Sequence, residues 1–486
     1  MKDKYDVVII GAGIGGLVCG CYLAKAGLKV LIVEKNDKPG GYCTSFEKDG
    51  YRFDVGVHYL GGIKRGILGQ ILEELDIKDQ IKFHQFDPTD KIIMPDNITY
   101  IRANPYDTIK EFKKSFPKEK RNIERFFKFI FKEEALKIYK KLQRLTFKKL
   151  LDIFFKDFRL KATLSVLIGN TGTSSYIAPA FPCVVLFRQY ILDPGYYPQK
   201  QIQQFPNILT YIFKKYGGEL ILSKEVTRIV TNTKRVNGVK IDGEERVNTY
   251  FVVSNGDVTQ TFRKLLDIKS RESKIVTKMK PAPSMFGVYL GINNKNLRKD
   301  INGSHNIYFF DTYNINKAYS KIEENISSNE LPWIVCSFPS LHISEKESQR
   351  KNSIVILTFA PYKSINFWRK HEKRLTEQVI KKASNIIPNL NHFIEKKFSF
   401  TPITFLKYTL NREGSFVGWL LKRKYMRSSL LPQRTSISGL YITGHWSTSG
   451  YLPFGGISNV AFLGRRTAAF VLKEKNIKWK YKEFYL

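Results

Sequence analysis

Cysteine is scarce in this chain: the 486 residues include five, at Cys19, Cys21, Cys43, Cys183 and Cys336. Their number is odd and no spacing matches a metal-ligand set, which excludes a disulfide-stapled scaffold and gives no support to a metal site. Cys19 and Cys21 stand two apart on a predicted helix, so they do not face each other. We interpret all five as reduced, mostly packing residues, expect a reducing compartment, and predict no bound metal.

Long apolar segments are also rare. One stretch, residues 7–24, carries no charge and approaches the roughly 20 residues that a membrane-spanning helix needs. It contains five glycines, which argues against a membrane span. A strand is predicted to begin at residue 5, which leaves no room for a signal peptide. We expect a cytoplasmic protein, with peripheral contact at the inner face of the membrane as a further option.

Acidic residues are few: 44 Asp and Glu oppose 80 Lys and Arg, giving a formal net charge of +36. Between Lys110 and Lys161 there are 18 basic and 7 acidic residues, with phenylalanines interleaved. Three explanations stay open: a lysine-rich composition with solvated helix faces, an anionic membrane surface, or an acidic partner such as an acyl carrier protein. Nucleic acid is not expected as a partner, because no recognition motif accompanies the charge.

The start of the chain holds a nucleotide-binding pattern. A β-branched run, Val7–Ile10, predicts a buried parallel strand, followed by Gly11-Ala12-Gly13-Ile14-Gly15-Gly16, a helix over residues 17–26, a second strand over residues 29–33, and Glu34. The glycines permit a tight turn and a close approach of backbone to a pyrophosphate at the helix N-terminus, and the acid accepts from a ribose hydroxyl. The pattern predicts dinucleotide binding through Gly11, Gly13, Ile14, Gly15, Gly16 and Glu34.

The residues that follow narrow the nucleotide. Lys35, the segment Gly40-Gly41-Tyr42 and residues 51–58 resemble the FAD-binding start of the amine oxidase and phytoene desaturase superfamily. In that family the paired glycines run beside the flavin's diphosphate and ribityl chain, and an Arg usually stands where this chain has Lys35. The resemblance implies that Lys35, Gly40, Gly41 and Tyr42 contact FAD, although Lys lacks the planar fork of Arg.

A segment near residue 450 makes the resemblance specific. Residues 441–446, then Pro453-Phe454-Gly455-Gly456-Ile457 and a helix through Arg465, resemble the second flavin motif of phytoene desaturases, carotenoid isomerases and retinol saturases. The resemblance implies further FAD contacts at Gly444, His445, Gly455, Gly456, Ile457, Val226 and Asn255. The chain departs from the family at two further places: Phe454 replaces a glycine, and Gln199-Lys200-Gln201 replaces a glycine pair.

These features predict an α/β fold, with a Rossmann-like FAD-binding domain of the glutathione-reductase/amine-oxidase type and an inserted α+β substrate domain. We assign residues 1–105, 199–275 and 420–486 to the FAD-binding domain. Residues 106–198 and 276–419 form the substrate domain, which includes the basic helical region. Strands between residues 286 and 359 fit an antiparallel sheet, and Val236-Asn237-Gly238-Val239 predicts a hairpin turn.

The resemblance also implies a chemistry: hydride exchange between flavin N5 and an allylic or olefinic carbon of a long apolar polyene or acyl chain. The catalytic candidates are His58, which follows a turn expected near the flavin, His445 in the second flavin segment, and Arg188. Each has a structural alternative, a hydrogen-bonded histidine for the first two and a solvated arginine for the third. Desaturation, saturation and isomerisation all stay open.

Two other classes of protein remain as alternatives. One is an amine or porphyrinogen oxidase of the same fold, which would produce hydrogen peroxide. The other is a non-enzymatic lipid escort, since Rab escort relatives keep this fold without a working flavin; the intact glycines and Glu34 argue against it. The sequence has no second GxGxxG motif, so we expect no separate NAD(P)H domain, and electrons would pass to oxygen, a quinone or transiently bound nicotinamide.

Overall fold

The structure is a computed structural model that describes residues 4–132, 134–328, 330–342, 351–423, 431–447 and 456–481. Its strands are β1 (Val7–Ile10), β2 (Val30–Val33), β3 (Ser45–Lys48), β4 (Tyr51–Asp54), β5 (Phe83–Gln85), β6 (Asp90–Met94), β7 (Asn97–Ile101), β8 (Tyr196–Pro198), β9 (Glu219–Ile221), β10 (Val226–Asn232), β11 (Arg235–Ile241), β12 (Glu245–Val247), β13 (Phe251–Ser254), β14 (Ser284–Ile292), β15 (Asn306–Phe310), β16 (Trp333–Ser337), β17 (Asn352–Ala360), β18 (Ile394–Phe400) and β19 (Leu440–Ile442).

The α-helices are α1 (Ile14–Lys25), α2 (Ile67–Glu74), α3 (Pro105–Ser115), α4 (Lys120–Lys132), α5 (Ala135–Leu142), α6 (Phe147–Phe154), α7 (Phe158–Val166), α8 (Ala180–Ile191), α9 (Gln204–Lys215), α10 (Val258–Gln260), α11 (Arg271–Lys278), α12 (Leu297–Asp300), α13 (Ile315–Ser320), α14 (Ile322–Ser327), α15 (Ile365–Ala383), α16 (Leu390–Phe393), α17 (Pro402–Thr409) and α18 (Ile457–Glu474). Within the described ranges, no helix combines the length and the apolar character that crossing a bilayer requires.

A five-stranded sheet in the order β19-β13-β1-β2-β9 carries the nucleotide-binding segment. Its strands pair in parallel, with Val7 opposite Val30 on one side and Phe251 on the other. The central strands are apolar on both faces because α1 and α18 pack together on one face, with the small β10-β11-β12 sheet against the other. The predicted parallel α/β fold is confirmed.

The second large sheet has seven strands in the order β18-β14-β17-β16-β15-β6-β7. Strands β14 to β17 pair antiparallel, as predicted, whereas β15 and β6 run parallel. β6 and β7 precede residue 105, so two strands from the predicted FAD-binding side of that boundary belong to this sheet. The predicted domain boundaries themselves stay a prediction.

Both faces of the second sheet are covered, because side chains alternate along its strands. On β17, Val355, Leu357 and Phe359 face the layer formed by α3 to α8, whereas Ile354 and Ile356 face α15. The phenylalanines interleaved with the lysines of residues 110–161 are mostly core residues of the helical layer, including the buried Phe116, Phe126, Phe127, Phe147 and Phe155.

The predicted hairpin turn at residues 236–239 is wrong. These residues lie inside β11, and the turn falls at Thr233 and Lys234, between the paired residues Asn232 and Arg235. A Cβ on Gly238 would lie 2.7 Å from the carbonyl oxygen of Val247. The Asn-Gly pair therefore marks a close approach of the next strand, β12, and not a turn.

Candidate dinucleotide site

The first glycine loop joins β1 to α1 at the carboxyl end of the parallel sheet. The helix begins at Ile14, so the backbone N–H groups of its first turn are open to a ligand. A Cβ on Gly16 would collide with the carbonyl oxygen of Gly11, and a Cβ on Gly13 would lie 2.8 Å from Asn255 Nδ2. The loop therefore exposes backbone, as the predicted pyrophosphate contacts at Gly11, Gly13, Ile14, Gly15 and Gly16 require.

Glu34 follows β2 and is fixed by three hydrogen bonds. Its Oε2 accepts from the backbone N–H of Ala12 at 2.7 Å, and its Oε1 accepts from the backbone and side chain of Asn36, each at 2.8 Å. The backbone N–H of Lys224 donates to the Glu34 carbonyl, which brings the start of β10, and so Val226, beside this acid. This arrangement holds the carboxylate at the edge of the first glycine loop.

Lys35 takes a different direction from Glu34. Its Nζ donates to the carbonyl oxygen of Lys407, in α17, at 3.0 Å and stays exposed. The structure thus places the ammonium group against the C-terminal turn of a helix, a favourable position for a cation. The FAD contact that the resemblance implies for Lys35 stays a prediction.

Gly40 and Gly41 lie against the first loop. The N–H of Gly40 donates to the carbonyl of Ala12 at 2.9 Å, and a Cβ on Gly41 would lie 3.5 Å from the Cα of Gly13. Gln203, which sequence reasoning missed, holds this segment: its buried amide donates to the carbonyl of Pro39 at 2.9 Å. The only sequence signal for Gln203 is its position near the departure at residues 199–201.

Asn255 joins the two glycine segments. Its Nδ2 donates to the Gly11 carbonyl at 3.3 Å. A Cβ on Gly15 and a Cβ on Gly444 would each lie 2.7 Å from its Oδ1. Three separated parts of the sequence therefore meet at one amide, and glycine at 15 and 444 is what allows them to meet.

The second flavin segment is described from Gly456 onward; Gly455, Phe454 and Pro453 lie outside the described residues. Gly456 precedes Ile457, the first residue of α18, with φ at +114°. A Cβ on Gly456 would lie 3.5 Å from the Tyr190 hydroxyl, and Ser458 Oγ donates to the Gly61 carbonyl at 2.9 Å. The N-terminus of α18 therefore adjoins residues 58–62 and α8.

A buried ion pair, missed from the sequence, fixes α18. Arg465 Nε and Nη2 bind the two carboxylate oxygens of Glu74 at 2.7 and 2.8 Å, and Tyr22 donates its hydroxyl to the same carboxylate at 2.5 Å. A Cβ on Gly464 would collide with the Gly15 carbonyl, so α18 packs closely on α1. These two charged residues lie far apart in the sequence, and nothing in it indicates their pairing.

The two candidate histidines both have unpartnered ring nitrogens. Nδ1 and Nε2 of His58, and Nε2 of His445, are shielded from solvent and have no hydrogen-bond partner among the described residues. Burial lowers the pKa of each histidine to about 4, so both are neutral at pH 7. The His445 ring centroid lies 6.1 Å from that of Tyr42, whose hydroxyl donates to the Ser415 carbonyl at 2.9 Å.

Arg188 forms a hydrogen bond with the helical layer. Its Nε donates to the carbonyl oxygen of Ile130 in α4, at 2.6 Å. Residues 188 and 190 are about 200° apart around α8, so Arg188 projects toward the helical layer and Tyr190 toward Gly456. This hydrogen bond directs the Arg188 Nε toward the helical layer, and the solvated alternative does not describe the residue, since it is partly buried.

Two buried carboxyls, Asp54 and Asp90, were missed as chemical groups. Asp54 accepts from Ser45 at 2.9 Å and from Tyr197 at 2.8 Å. Asp90 accepts from Asn306 Nδ2 at 2.9 Å and from the Tyr59 hydroxyl at 3.4 Å. Burial raises the pKa of both carboxyls to about 7, although their hydrogen bonds act in the opposite direction.

The residues present fit a dinucleotide. The glycine segments form a cradle that side chains would fill, Glu34 stands at its edge, and unpartnered histidine nitrogens lie nearby. All five cysteines are buried free thiols, in keeping with the packing role predicted for them. Among the described residues, no three or more His, Cys, Asp or Glu side chains are grouped to hold a metal ion.

Comparison with known proteins agrees with this geometry. The family model described as NAD(P)-binding Rossmann-like domain matches residues 9–75. All-trans-retinol 13,14-reductase of Rattus norvegicus is 25% identical over 508 aligned positions, covering 91% of this chain and 82% of the rat protein. Prolycopene isomerase 1, chloroplastic, of an Oncidium hybrid cultivar is 26% identical over 529 positions, covering 98% of this chain and 85% of the isomerase.

The fold has a counterpart among solved structures. A redesigned double mutant of putrescine oxidase superposes with a TM-score of 0.65 at 16% identity, covering 97% of this chain and 99% of the oxidase. Site and fold thus define a dinucleotide-binding α/β protein of the amine-oxidase structural type. Within that class, the chain is similar over nearly its whole length to a retinol 13,14-reductase and a prolycopene isomerase, which supports the resemblance that its two glycine segments indicated.

Proposed function

We propose that the chain is an FAD-dependent oxidoreductase that acts on carbon–carbon bonds of a long apolar polyene or acyl chain. The observation that carries the proposal is the meeting of Gly15, Asn255 and Gly444, which places both glycine segments around one cradle. The names of the relatives, a retinol reductase and a prolycopene isomerase, favour a polyene over an amine. The flavin would supply hydride exchange at its N5 position when bound.

The chain's own residues would bind, orient and exclude water. The N-terminus of α1 would neutralise the diphosphate, and Glu34 would hold the ribose. The N-terminus of α18, fixed by Arg465 and Glu74, would face the flavin ring. His58 and His445 are uncharged at pH 7, so each can donate or accept a hydrogen bond without placing a charged group in an apolar site.

The test is the absorption spectrum of the purified protein, followed by anaerobic addition of polyenes and acyl chains. Flavin bands bleached by a substrate indicate a desaturase, and reduced flavin reoxidised by a polyene indicates a saturase. A geometrical change in the polyene without net change in the flavin indicates an isomerase. Hydrogen peroxide formed with amines, or no flavin after reconstitution, would refute the proposal in favour of an amine oxidase or a lipid escort.

We further propose that the helical layer contacts an anionic lipid surface. Exposed large apolar side chains lie on or beside this basic layer: Tyr106, Ile153, Phe158, Tyr176 and Ile177. Ile153 and Phe158 are 64% and 65% exposed, and Lys149 and Lys156 are exposed close to them in sequence. Apolar groups that enter the headgroup region while lysines bind anionic phosphates match such a surface better than they match an acidic carrier protein, which supplies charge alone.

A further inference from the structure

We propose, building on the function above, that Tyr59 is the proton-donating residue toward the substrate and that Asp90 is the positioning residue that keeps it supplied. Saturating a double bond needs a hydride on one carbon and a proton on its neighbour. The hydride comes from the reduced flavin, which a reductant such as a nicotinamide cofactor has first reduced. The proton has to come from a group beside the flavin.

Tyr59 lies where such a donor is needed. It belongs to residues 58–62, whose Gly61 carbonyl accepts from Ser458 at the start of α18. The Tyr59 ring packs edge-on against Tyr190, with centroids 5.6 Å apart, and the Tyr190 hydroxyl adjoins Gly456. A phenol in this position is next to the second flavin segment and at the border of the helical layer.

Asp90 stands behind Tyr59, away from solvent. It is 1% exposed, it receives the Tyr59 hydroxyl and the Asn306 amide, and the described part of the chain shows no ion pair for it. The Asn306 amide is oriented by Ser337, which donates to its Oδ1 at 2.6 Å, so its Nδ2 faces the carboxyl. A buried carboxyl without a cation holds its proton more tightly than usual, and the pKa of Asp90 is raised to about 7.

In the direction of saturation, each of the two new C–H bonds has a defined source of hydrogen. The π electrons of the double bond form a C–H bond with the Tyr59 proton, and the hydride forms the C–H bond at the adjacent carbon. Asp90, the stronger acid of the pair, then returns a proton to Tyr59 and carries the negative charge until a solvent proton replaces it. Desaturation runs the same transfers in reverse, with oxidised flavin accepting the hydride.

The titratable groups around Asp90 have pKa values far from 7, so the titration of Asp90 can be distinguished from theirs. Tyr59 and Tyr308, the latter from β15, interact with Asp90; Tyr190 from α8 interacts with both of these tyrosines, and His305 lies against the Tyr59 ring. Burial raises the pKa of all three tyrosines and lowers that of His305 to about 3. Asp90 is therefore the member of this group that changes charge near pH 7.

A purely structural role for Asp90 predicts something different. Asp90 and Asn306 are register partners of the parallel pair β6 and β15, so their hydrogen bond also sets that register. A register clamp would change stability when altered, but it would move neither a solvent isotope effect nor a pH profile. The experiment therefore uses Tyr59→Phe, which loses one hydroxyl, and Asp90→Asn, whose amide oxygen can still accept the hydrogen bond from Asn306 Nδ2.

The measurements are flavin content, thermal unfolding, the infrared carbonyl band of protonated carboxyls, and single-turnover saturation of a polyene by photoreduced enzyme in H₂O and D₂O. The control is Asp54→Asn, which alters another buried carboxyl bound by a tyrosine. We expect Tyr59→Phe and Asp90→Asn to bind flavin normally and to lower the single-turnover rate about 100-fold, the low end of general acid catalysis. The wild-type rate should fall as the pH rises through about 7, and Asp90→Asn should lose that dependence.

Three results would overturn the proposal. The first is Tyr59→Phe turning over at the wild-type rate with an unchanged solvent isotope effect. The second is an infrared difference between wild type and Asp90→Asn, below pH 7, that shows an ionised Asp90. The third is Asp54→Asn reproducing both the rate loss and the altered pH profile. Should wild type bind no flavin, the function above fails, and the infrared difference still decides whether Asp90 holds a proton.

Discussion

Two structural features restrict which residue can stand at position 444. Gly444 has φ at +75°, and a Cβ there would lie 2.7 Å from Asn255 Oδ1. Gly243 shares the positive φ, at +89°, but nothing lies within 4 Å of its Cβ position. Substitutions at the two positions therefore distinguish the effect of backbone strain, which both share, from the effect on the cradle, which concerns Gly444 alone.

We expect Gly444→Ala and Gly243→Ala each to lose roughly 1–2 kcal/mol of unfolding free energy from left-handed backbone strain. Only Gly444→Ala should also lose bound flavin, because Asn255 has to move away from the loop. Thermal unfolding and the flavin-to-protein absorbance ratio measure both effects. A Gly444→Ala protein with a full complement of flavin would contradict the assignment of the cradle.

The buried carboxyls predict how stability depends on pH. An unfolded Asp titrates near 3.9, whereas folded Asp54 titrates at about 7. Between these values the folded state keeps a proton that the unfolded state has lost, so this contribution is complete below about pH 4 and is lost as the pH rises through about 7. The stability advantage of wild type over Asp54→Asn, from urea unfolding, should shrink from about pH 5 to about pH 8. A pH-independent difference would mean that Asp54 is ionised in the folded protein.

At the residue scale, residues that backbone geometry or a ligand requires at fixed spacing are easier to predict from the sequence than the roles of buried polar side chains. Gly13, Gly16 and Glu34 were selected because binding a pyrophosphate and a ribose demands such residues at fixed spacing. Asp90 and Gln203 were missed because their burial and partners arise only from tertiary packing. Arg188 was selected for its charge on a helix near a turn, and the structure turns it to Ile130.

The helix α18 depends on one buried ion pair. Arg465 and Glu74 are 5% and 11% exposed, and each satisfies the other with two hydrogen bonds. Removing one partner leaves an uncompensated buried charge, which costs about 3–5 kcal/mol in known cases. Replacing both partners by apolar residues of similar volume costs much less.

We therefore expect Arg465→Met alone to lower the free energy of unfolding by about 3–5 kcal/mol, and Arg465→Met with Glu74→Met to restore most of it. Lys224→Met, which removes an exposed pair with Asp242, should stay within about 1 kcal/mol of wild type. Denaturant unfolding measures all three proteins. Equal losses in the single and double variants would show that packing, and not charge, fixes α18.

At the element scale, the helices and strands around residues 7–34 and 440–474 follow from the sequence, since their periodicity and glycines agree with each other. The hairpin at 236–239 failed because an Asn-Gly pair within a strand is locally indistinguishable from a turn. Only the approach of Val247, which is set by the pairing of β11 with β12, decides between the two.

The charge of the whole molecule has a measurable consequence. The net charge of +36 and the exposed Ile153 and Phe158 predict sedimentation with vesicles that contain anionic lipid, weakened by salt. We expect the double variant Ile153→Asp with Phe158→Asp to lose this binding at least tenfold. Tyr211→Asp with Tyr408→Asp, which alters exposed rings outside the helical layer, should keep it.

Binding to neutral and anionic vesicles alike would contradict the electrostatic part of this proposal. Capture of an acidic carrier protein without vesicle binding would replace the lipid surface by that partner. Loss of binding in both double variants would show that net charge alone, and not the apolar patch on the helical layer, drives the contact.

At the scale of the whole molecule, the sequence predicted the parallel sheet but not the order of the second sheet. β6 and β7 join it through β15, although more than two hundred residues separate them. Periodicity shows that a strand exists, whereas its partner depends on packing between distant segments. For the same reason, the sequence predicted the helices of this layer but not that they cover one face of the second sheet.

The meeting of Gly15, Asn255 and Gly444 also bears on the order of events during synthesis. The first loop leaves the ribosome early, but the edge strand β19 and Gly444 follow only after most of the chain. A nascent chain therefore carries an open half-site, with apolar strand β13 unpaired on the β19 side, until that late segment docks. The closing of this sheet and, under the proposed function, the binding of flavin both wait for that late segment, so we expect a chain truncated before residue 440 to do neither.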